Sequence, residues 1–235
     1  MVTTCFFLVI IFFVFMQTEL TKTLDGSYTL YVPEIDEHYH SINGAIQESN
    51  HVFINAGLKE CAKDTIHVLE VGFGTGLNTF LTMLEAEKSA KNIFFTTIEL
   101  YPIDENKVKS LQYAKQISTE NSFDFERLHT ANWNETTQLT THFTLKKNLA
   151  DFTKIDFDEE NFDVIFFDAF SPEKQPEMWT ENIFTKLYNA SSKNAILTTY
   201  CAKGMVRRAM QKAGYLVERI SGPPGKREMI RCRKI

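Results

Sequence analysis

The chain has 235 residues, of which 43% are hydrophobic and 23% are charged. This composition is typical of a globular protein, and the length suffices for one α/β domain with a full core. The net charge of −5 gives no overall sign of a nucleic-acid partner, although a local basic patch would be enough to bind one. The four cysteines form no Cys-x-x-Cys pair, which argues against a zinc site and a disulfide framework, and we predict no metal.

The N-terminal residues 5–15 form an unbroken apolar run. A helix that spans a bilayer needs about 20 residues. A secretory signal needs a basic start and a small-residue cleavage site, and the run lacks both. We therefore expect residues 1–15 to lie outside the native fold, Met16 to be the true start and the protein to be cytoplasmic. A membrane-tethering segment is the alternative interpretation.

Residues 16–60 are predicted to form an N-terminal extension, ahead of a main domain at residues 61–235. Asp25-Gly26 is a tight-turn signal within the strand-like residues 23–32, which indicates a hairpin. A helix is predicted at residues 44–53.

The segment between that hairpin and that helix, residues 33–41, is dense in polar and titratable groups. It includes His38, Tyr39 and His40, and the spacing of its histidines matches no strong metal signature. We predict a polar loop that lines a site.

A glycine-rich turn follows the short, mostly apolar strand predicted at residues 66–71, which is rich in β-branched residues. Gly72, Gly74 and Gly76 stand at alternate positions after Glu70, and apolar residues at helical spacing come next. Glycines let the backbone turn sharply and approach a ligand, and a helix N-terminus offers free N–H groups. The Glu-x-Gly-x-Gly-x-Gly pattern resembles the S-adenosylmethionine loop of class I methyltransferases. A glycine turn in some other α/β enzyme is the alternative.

Two further strands, predicted at residues 92–100 and 143–149, are each associated with an acid. Glu99 lies at the end of the first, where a carboxylate can accept hydrogen bonds from ribose hydroxyls in doubly wound sheets. An exposed acid at the strand end is the alternative interpretation. Asp151 follows the second, a position that often lies near the adenine amino group. A helix is predicted between them at residues 102–115.

The fourth strand of this series, residues 162–168, delivers Asp168 to the carboxyl edge of the sheet, where ligands bind in such folds. Pro172 and Pro176 stiffen the loop that follows. A rigid loop beside an acid at this edge is suited to holding a substrate in place.

The C-terminal part is predicted to hold a strand at residues 195–202, a helix at 203–213 and two antiparallel closing strands at 215–220 and 228–232.

Basic and aromatic residues in the second half are candidates for binding a nucleic acid. Lys203, Lys226 and Arg227 lie in loops at or near the sheet edge, where they would contact phosphates, with ordinary surface charge as the alternative. Trp179 and Phe170 are candidates for stacking on an extruded base, with core packing as the competing interpretation.

Several separated motifs together resemble one family. The chain is similar to the MnmC-like methyltransferases, the tRNA 5-methylaminomethyl-uridine methyltransferases that are called MnmD when they stand alone. The match runs from about residue 24 to the C-terminus and rests on Glu-His-Tyr-His-Ser at 37–41, Gln-Glu-Ser at 47–49, Gly-Phe-Gly-Thr-Gly-Leu-Asn at 72–78, Asp-Ala-Phe-Ser-Pro-x-Lys-x-Pro-x-Met-Trp at 168–179, Lys-Gly-Met-Val-Arg-Arg-Ala-Met-Gln-Lys-Ala-Gly-Tyr at 203–215 and Gly-Lys-Arg-Glu-Met at 225–229.

This resemblance implies a class I, Rossmann-like α/β fold with a mostly parallel seven-stranded sheet, an antiparallel closing strand and a small N-terminal β-hairpin extension. It implies S-adenosyl-L-methionine as cofactor and tRNA as partner, with methylation of the exocyclic amine of 5-aminomethyl-uridine, or its 2-thio form, at wobble position 34. The chain shows no second dinucleotide fingerprint, so we expect methyl transfer only, without an FAD oxidase domain. Separate enzymes would then make the aminomethyl group, and no stable membrane partner is expected.

The residues that match the family pattern give a candidate site. The predicted cofactor-binding residues are Glu70, Gly72, Gly74, Gly76, Asn78, Glu99, Asp151 and Asp168. The predicted substrate-binding residues are His38, Tyr39, Gln47, Glu48, Phe170, Lys174, Trp179, Lys203, Lys226 and Arg227.

Asp168 is the predicted catalytic residue. An ordinary Asp, with a pKa of ~4, is a poor base for an alkyl amine with a pKa of ~10. We therefore interpret Asp168 as an acceptor that orients the amine, the cofactor's amino group or both, while the proton leaves to water. Burial that raised its pKa would let it do more.

Two other functions remain open at this point. One is another class I transferase, such as a small-molecule methyltransferase or an aminopropyltransferase. The other is a non-catalytic, membrane-tethered binding protein that keeps the sheet but has lost the site.

Overall fold

The computed structural model describes residues 17–117, 122–157 and 162–235. The apolar run at residues 5–15 and the predicted start at Met16 lie outside the described residues. Within the described ranges, none of the helices has both the length and the apolar character that crossing a membrane requires.

The N-terminal extension contains the predicted hairpin and one more strand. Strands β1 (Glu19–Lys22), β2 (Tyr28–Val32) and β3 (Glu37–His38) form a three-stranded antiparallel sheet. The Tyr113 hydroxyl donates to the Tyr28 carbonyl over 2.7 Å, which ties this sheet to the main domain. The extension thereby presents the polar segment that follows β2 to the main sheet.

The main domain is built on one eight-stranded sheet, in the order β10-β11-β9-β8-β4-β5-β7-β6. The five central strands, from β9 to β7, pair in parallel, and β11 is antiparallel to both β9 and β10. The strands are β4 (Thr65–Val71), β5 (Asn92–Glu99), β6 (Thr136–Gln138), β7 (Phe143–Leu149), β8 (Phe162–Phe167), β9 (Ser191–Thr199), β10 (Leu216–Ser221) and β11 (Glu228–Arg233).

The predicted mostly parallel sheet with an antiparallel closing strand is confirmed, but the strand count is eight, not seven. The additional strand, β6, has three residues and pairs antiparallel with β7 at the sheet edge. So short a segment shows no alternation of apolar residues in the sequence, and only its neighbour makes it a strand.

Helices cover both faces of this sheet. They are α1 (Ala45–Ser49), α2 (Leu77–Ser89), α3 (Glu105–Leu111), α4 (Tyr113–Ile117), α5 (Ser122–Thr130), α6 (Glu181–Ala190) and α7 (Gly204–Lys212).

Each face has its own apolar core. Because successive side chains of a strand point to opposite faces, Phe166 packs in the core with Phe80 of α2, whereas Phe167 packs in the core with Phe184 of α6. Each of these fully buried phenylalanines contributes about 1.5–3 kcal/mol of apolar burial.

The predicted helices at 102–115 and 44–53 both differ in detail. The first is split into α3 and α4 at Gln112, whose left-handed φ of 54° breaks the helical path. The second ends as α-helix at Ser49 and continues as a π-helical turn over Asn50–Asn55.

Candidate functional site

A cavity of about 600 Å³ lies at the carboxyl ends of the parallel strands. Its walls are the glycine loop after β4, the ends of β5 and β7, the loop after β8 and the polar segment around Tyr39. The strand β4 lies between β5 and β8, so the chain leaves it on one side and later returns on the other. Ligands of open α/β sheets bind at such a switch point.

The backbone of the glycine loop requires residues without side chains at two cavity-lining positions. Gly72 has a φ of +94°, and a Cβ there would lie 2.7 Å from the Asp168 carbonyl oxygen. Gly74 has a φ of +49°, and a Cβ there would lie 2.9 Å from the Tyr39 ring. The glycines therefore let the loop pass between the end of β8 and the polar segment.

The Glu99 carboxylate is held in place at the cavity wall by three backbone N–H groups. Oε1 accepts from Leu100 at 2.9 Å and from Tyr101 at 2.8 Å, and Oε2 accepts from Gly74 at 2.9 Å. Burial raises its pKa, and these hydrogen bonds oppose the rise. The carboxylate that the sequence predicts as the ribose acceptor is thus joined directly to the glycine loop.

Asp151 lines the same cavity from the end of β7. Its Oδ1 accepts from the Thr153 N–H at 3.0 Å and hydroxyl at 2.7 Å, and Oδ2 pairs with Lys154 at 2.9 Å. The hydrogen bond from the Thr153 side chain is the main cause of its lowered pKa.

Asp168 lies at the point where the glycine loop meets the loop after β8. Its N–H donates to the Val71 carbonyl at 3.0 Å, and its Oδ2 accepts from Asn78 Nδ2 at 2.8 Å. Burial raises the pKa of Asp168 to about 7, against the opposing effect of Asn78. Asn78 itself is buried and does not line the cavity, so its contact with the site is through Asp168.

Glu70 is buried beneath the glycine loop and does not line the cavity. Its Oε2 accepts from the hydroxyls of Thr79 at 2.8 Å and Thr97 at 2.7 Å. Burial raises its pKa to about 8. The contacts of Glu70 therefore join β4, β5 and α2 under the loop. Gly76, another predicted cofactor-binding residue, also does not line the cavity and lies against His129.

The loop after β8 is clamped by three side chains. Gln175 Oε1 accepts from the Phe170 N–H at 3.0 Å, and Trp179 Nε1 donates to the Phe170 carbonyl at 2.7 Å. The Tyr200 hydroxyl donates to the Ala169 carbonyl at 2.9 Å. These bonds fix the backbone immediately after Asp168.

Trp179 and Phe170, the two predicted stacking residues, lie in different places. Trp179 is 2% exposed, with its ring centre 4.9 Å from that of Phe167, so the structure favours core packing for it. Phe170 lines the cavity, where its ring meets Tyr39 edge-on at 5.1 Å. Of the two, Phe170 has the ring that a ligand in the cavity can reach.

An ion pair occupies the part of the cavity wall near the polar segment. Lys226 Nζ lies 2.8 Å from Glu48 Oε1 and 4.1 Å from the centre of the Tyr200 ring. The other oxygen of Glu48, Oε2, accepts from the Ser41 N–H at 2.7 Å.

The remaining predicted substrate residues divide by position. His38 lines the cavity with Tyr39, Glu48, Phe170 and Lys226. Five predicted residues do not line it: Gln47, Lys174, Trp179, Lys203 and Arg227. Among these, Lys203 pairs with Glu173.

Residues outside the predicted cofactor-binding and substrate-binding sets also reach the cavity. Tyr200 follows β9 at the same carboxyl edge, a signal that was available in the sequence. His40 is buried, and its Nε2 lies 2.6 Å from the Thr75 hydroxyl of the glycine loop. Because burial lowers its pKa to about 4, His40 links the segment to the loop as a neutral ring. Within the described ranges, no group of three or more His, Cys, Asp or Glu side chains is arranged to hold a metal ion.

The cavity suits an adenosyl ligand. The Glu99 carboxylate is held in one orientation by backbone N–H groups, and Gly72 and Gly74 line the cavity with it. In doubly wound sheets, an acid at this position accepts hydrogen bonds from ribose hydroxyls. The volume is within the range of small-molecule sites.

Comparisons with known proteins agree with this geometry. A family model described as S-adenosyl-L-methionine-dependent methyltransferase matches residues 109–235. Two similar relatives are the tRNA 5-methylaminomethyl-2-thiouridine biosynthesis bifunctional proteins MnmC of Nitrosospira multiformis, 29% identical over 218 residues, and of Ectopseudomonas mendocina, 30% identical over 216 residues. These matches cover 86% and 83% of this chain but 34% and 32% of the relatives, so the chain spans about a third of their length.

Among solved structures, MNMC2 from Aquifex aeolicus superposes with a TM-score of 0.72 at 25% identity, over 92% of this chain and 70% of that one. Spermidine synthase from Thermotoga maritima has a TM-score of 0.50 at 12% identity, over 93% of this chain and 72% of that one. The second likeness is one of fold alone.

Proposed function

This chain belongs to the S-adenosyl-L-methionine-dependent methyltransferase family, and from that premise we propose that it methylates the exocyclic amine of 5-aminomethyl-uridine, or its 2-thio form, at the tRNA wobble position. The names of the longer relatives, which concern tRNA 5-methylaminomethyl-2-thiouridine biosynthesis, support this substrate. The family model supports methyl transfer as the activity of the matched third of those relatives, and tRNA as substrate supports a cytoplasmic site of action.

The cofactor side of the proposed site consists of Gly72, Gly74, Glu99 and Asp151. Glu99 would accept from the ribose hydroxyls, and the backbone of the two glycines would lie against the ligand. Asp151, at the end of β7, would face the adenine amino group. When bound, S-adenosyl-L-methionine supplies a sulfonium methyl group: the amine nitrogen forms a bond to this carbon as the sulfur–carbon bond breaks and its electron pair returns to sulfur.

The observation that carries the proposal is the position of Asp168, which lies against the glycine loop and lines the same cavity as Glu48, whose charge acts on it. An aminomethyl group is short, so its nitrogen has to lie close to the carboxylate that orients it. The nitrogen must lose its proton before it attacks, because a protonated amine has no free electron pair. With a pKa raised to about 7, Asp168 is a better proton acceptor than an ordinary Asp. It is still a weaker base than the amine, so we propose that the proton of the amine finally leaves to water.

The aromatic residues Phe170 and Tyr39 would hold the uracil ring, since flipped or unpaired bases stack on such side chains. Lys203 and Arg227, which lie outside the cavity, are proposed as phosphate contacts.

Methyl transfer tests the proposal directly. The protein is incubated with S-adenosyl-L-methionine and tRNA that carries 5-aminomethyl-uridine, and the digested nucleosides are analysed by mass. We expect a gain of one methyl group on that nucleoside and none on tRNA with unmodified uridine at the same position. Absence of the methylated nucleoside from a preparation that binds S-adenosylhomocysteine would overturn the substrate while leaving the family intact.

A further inference from the structure

Negative charge dominates the cavity wall. Lys226 is the single Lys or Arg among the described residues that line it. The acidic lining residues are Asp36, Glu37, Glu48, Glu99, Asp151, Asp168 and Glu177. A wall of this kind attracts cations, and the amine of the proposed substrate is a cation in water.

Glu48 and the Tyr200 ring form a pocket for an ammonium group, and Lys226 occupies it. The Lys226 ammonium lies 2.8 Å from the carboxylate and 4.1 Å from the ring centre, the geometry of combined charge pairing and cation–π contact. We call the Glu48 carboxylate and the Tyr200 ring face the ammonium pocket.

The two sides of this contact differ in rigidity. The Glu48 side chain is 8% exposed and its second oxygen is held by the Ser41 N–H, so the receptor side is fixed. The Lys226 side chain is 33% exposed, long and singly tethered, at the turn between β10 and β11. An occupant of this kind can leave its pocket at far lower cost than the carboxylate can move.

The ammonium pocket is also close to Asp168. The Tyr200 hydroxyl bonds to Ala169, the residue after Asp168, and the charges of Glu48 and Lys226 both act on Asp168. A substrate amine that approaches Asp168 therefore arrives beside a site already shaped for an ammonium group.

From this arrangement we propose that Lys226 is an internal stand-in for the substrate amine: the aminomethyl ammonium of the substrate displaces it from the ammonium pocket. Glu48 is then the carboxylate that recognises the amine. Lys226 lowers the affinity of the protein for the amine, because its own ammonium group competes with the amine for the ammonium pocket. This inference rests on the proposed function, because it takes the 5-aminomethyl group as the ligand.

The test compares the binding of two tRNAs to protein saturated with S-adenosylhomocysteine, so that no turnover occurs. One tRNA carries 5-aminomethyl-uridine and the other carries uridine at the same position. The dissociation constant of the uridine tRNA divided by that of the 5-aminomethyl-uridine tRNA measures recognition of the amine alone, because phosphate contacts are common to both. Wild-type methyl transfer to the first tRNA is measured in parallel.

We expect Lys226→Met to raise this ratio roughly fivefold or more, because the competing ammonium is gone while the apolar length over the ring is kept. Lys59→Met is the matched control: it breaks a Lys–Glu pair, with Glu85 at 3.3 Å, away from the cavity, and leaves the ratio unchanged. In Glu48→Gln combined with Lys226→Met the receptor carboxylate is absent without an unpaired charge, and the ratio falls below the wild-type value.

Three results would overturn the inference. Equal weakening of both tRNAs by Lys226→Met would make Lys226 a phosphate contact, and two unchanged dissociation constants would make the pair a structural one. A double variant that binds S-adenosylhomocysteine normally and keeps the high ratio would remove Glu48 from amine recognition. Failure of the proposed function is recognised separately, because the wild-type protein would then form no methylated product.

Discussion

Asn78 Nδ2 donates to Asp168 Oδ2 over 2.8 Å, which joins the first turn of α2 to the end of β8. The two residues are 90 positions apart in the chain. The bond orients the carboxylate and favours its charged form, whereas burial favours the neutral form and raises the pKa to about 7. The charge of Asp168 near neutral pH therefore depends on Asn78.

Removal of the carboxylate should stop methyl transfer without unfolding the protein. We expect Asp168→Ala to lower kcat/KM at least about 100-fold, since the carboxylate that orients the amine is lost. The backbone of the loop stays clamped through Phe170 and Ala169. The measurement combines methyl transfer with circular dichroism and S-adenosylhomocysteine binding, and near-normal turnover in the folded variant would contradict the role.

The pH dependence of methyl transfer should report the Asp168–Asn78 bond. The ionised carboxylate is the active form, so kcat/KM should rise with pH through about 7 as Asp168 loses its proton. Asn78→Ala removes a bond that favours the charged form, so this rise should move to higher pH. The substrate amine also loses a proton as pH rises, but its pKa is the same for both proteins. A profile that does not move in the variant would assign the rise to the amine instead.

Glu70 should make the protein less stable as the pH rises. Its pKa is raised to about 8 in the folded protein from the ordinary value of 4.5, so above pH 4.5 the unfolded state loses this proton first. The stability that this proton provides is present below pH 4.5 and is lost as the pH rises through about 8.

Glu70→Gln removes this titration and keeps an oxygen that accepts from Thr79 and Thr97. We expect the variant to have nearly wild-type stability at pH 5 and to be more stable at pH 8 by at least about 1 kcal/mol. Denaturant unfolding across this range measures the difference, and parallel curves for the two proteins would refute the assignment.

The two glycines Gly72 and Gly26 provide a matched pair, because both have a left-handed φ, of +94° and +86°. A Cβ on Gly26 meets nothing within 4 Å, whereas one on Gly72 would lie 2.7 Å from the Asp168 carbonyl. Gly26→Ala should therefore cost backbone strain of about 1 kcal/mol, and Gly72→Ala should cost more and weaken S-adenosylhomocysteine binding at least about tenfold. Calorimetric titration and unfolding of both variants check this, and equal cofactor affinity in the two would rule out a tight fit at Gly72.

Local patterns were sufficient to locate the part of the cavity wall that we propose to bind the cofactor. The glycine turn after one strand and Glu99 at the end of the next could be assigned to the same place because neighbouring parallel strands end at one edge of a sheet. The structure adds the hydrogen bond from Gly74 to Glu99, which the sequence could not show. The assigned fold and the MnmC-like resemblance are both confirmed, whereas the ligand roles of these residues remain predictions.

The direction in which a side chain points was decided only in three dimensions. Glu70 and Trp179 were selected by motif, and both are buried away from the cavity, under the glycine loop and behind Phe170. A motif fixes the positions of such residues along the chain, but the pleat of β4 and the short helical turn over Pro176–Trp179 decide which way each one faces.

The sequence by itself determined most of the strands, the glycine loop and the acids at the strand ends, because periodicity and turn chemistry are local properties of the chain. The fold class came from the resemblance of several separated motifs to one family. Tertiary structure alone decided the contacts across long separations, of which the pair of Glu48 and Lys226, 178 residues apart, is the clearest. Both residues were visible as polar candidates, but an ion pair depends on how two distant segments fold against the same sheet edge, and no local pattern encodes that distance.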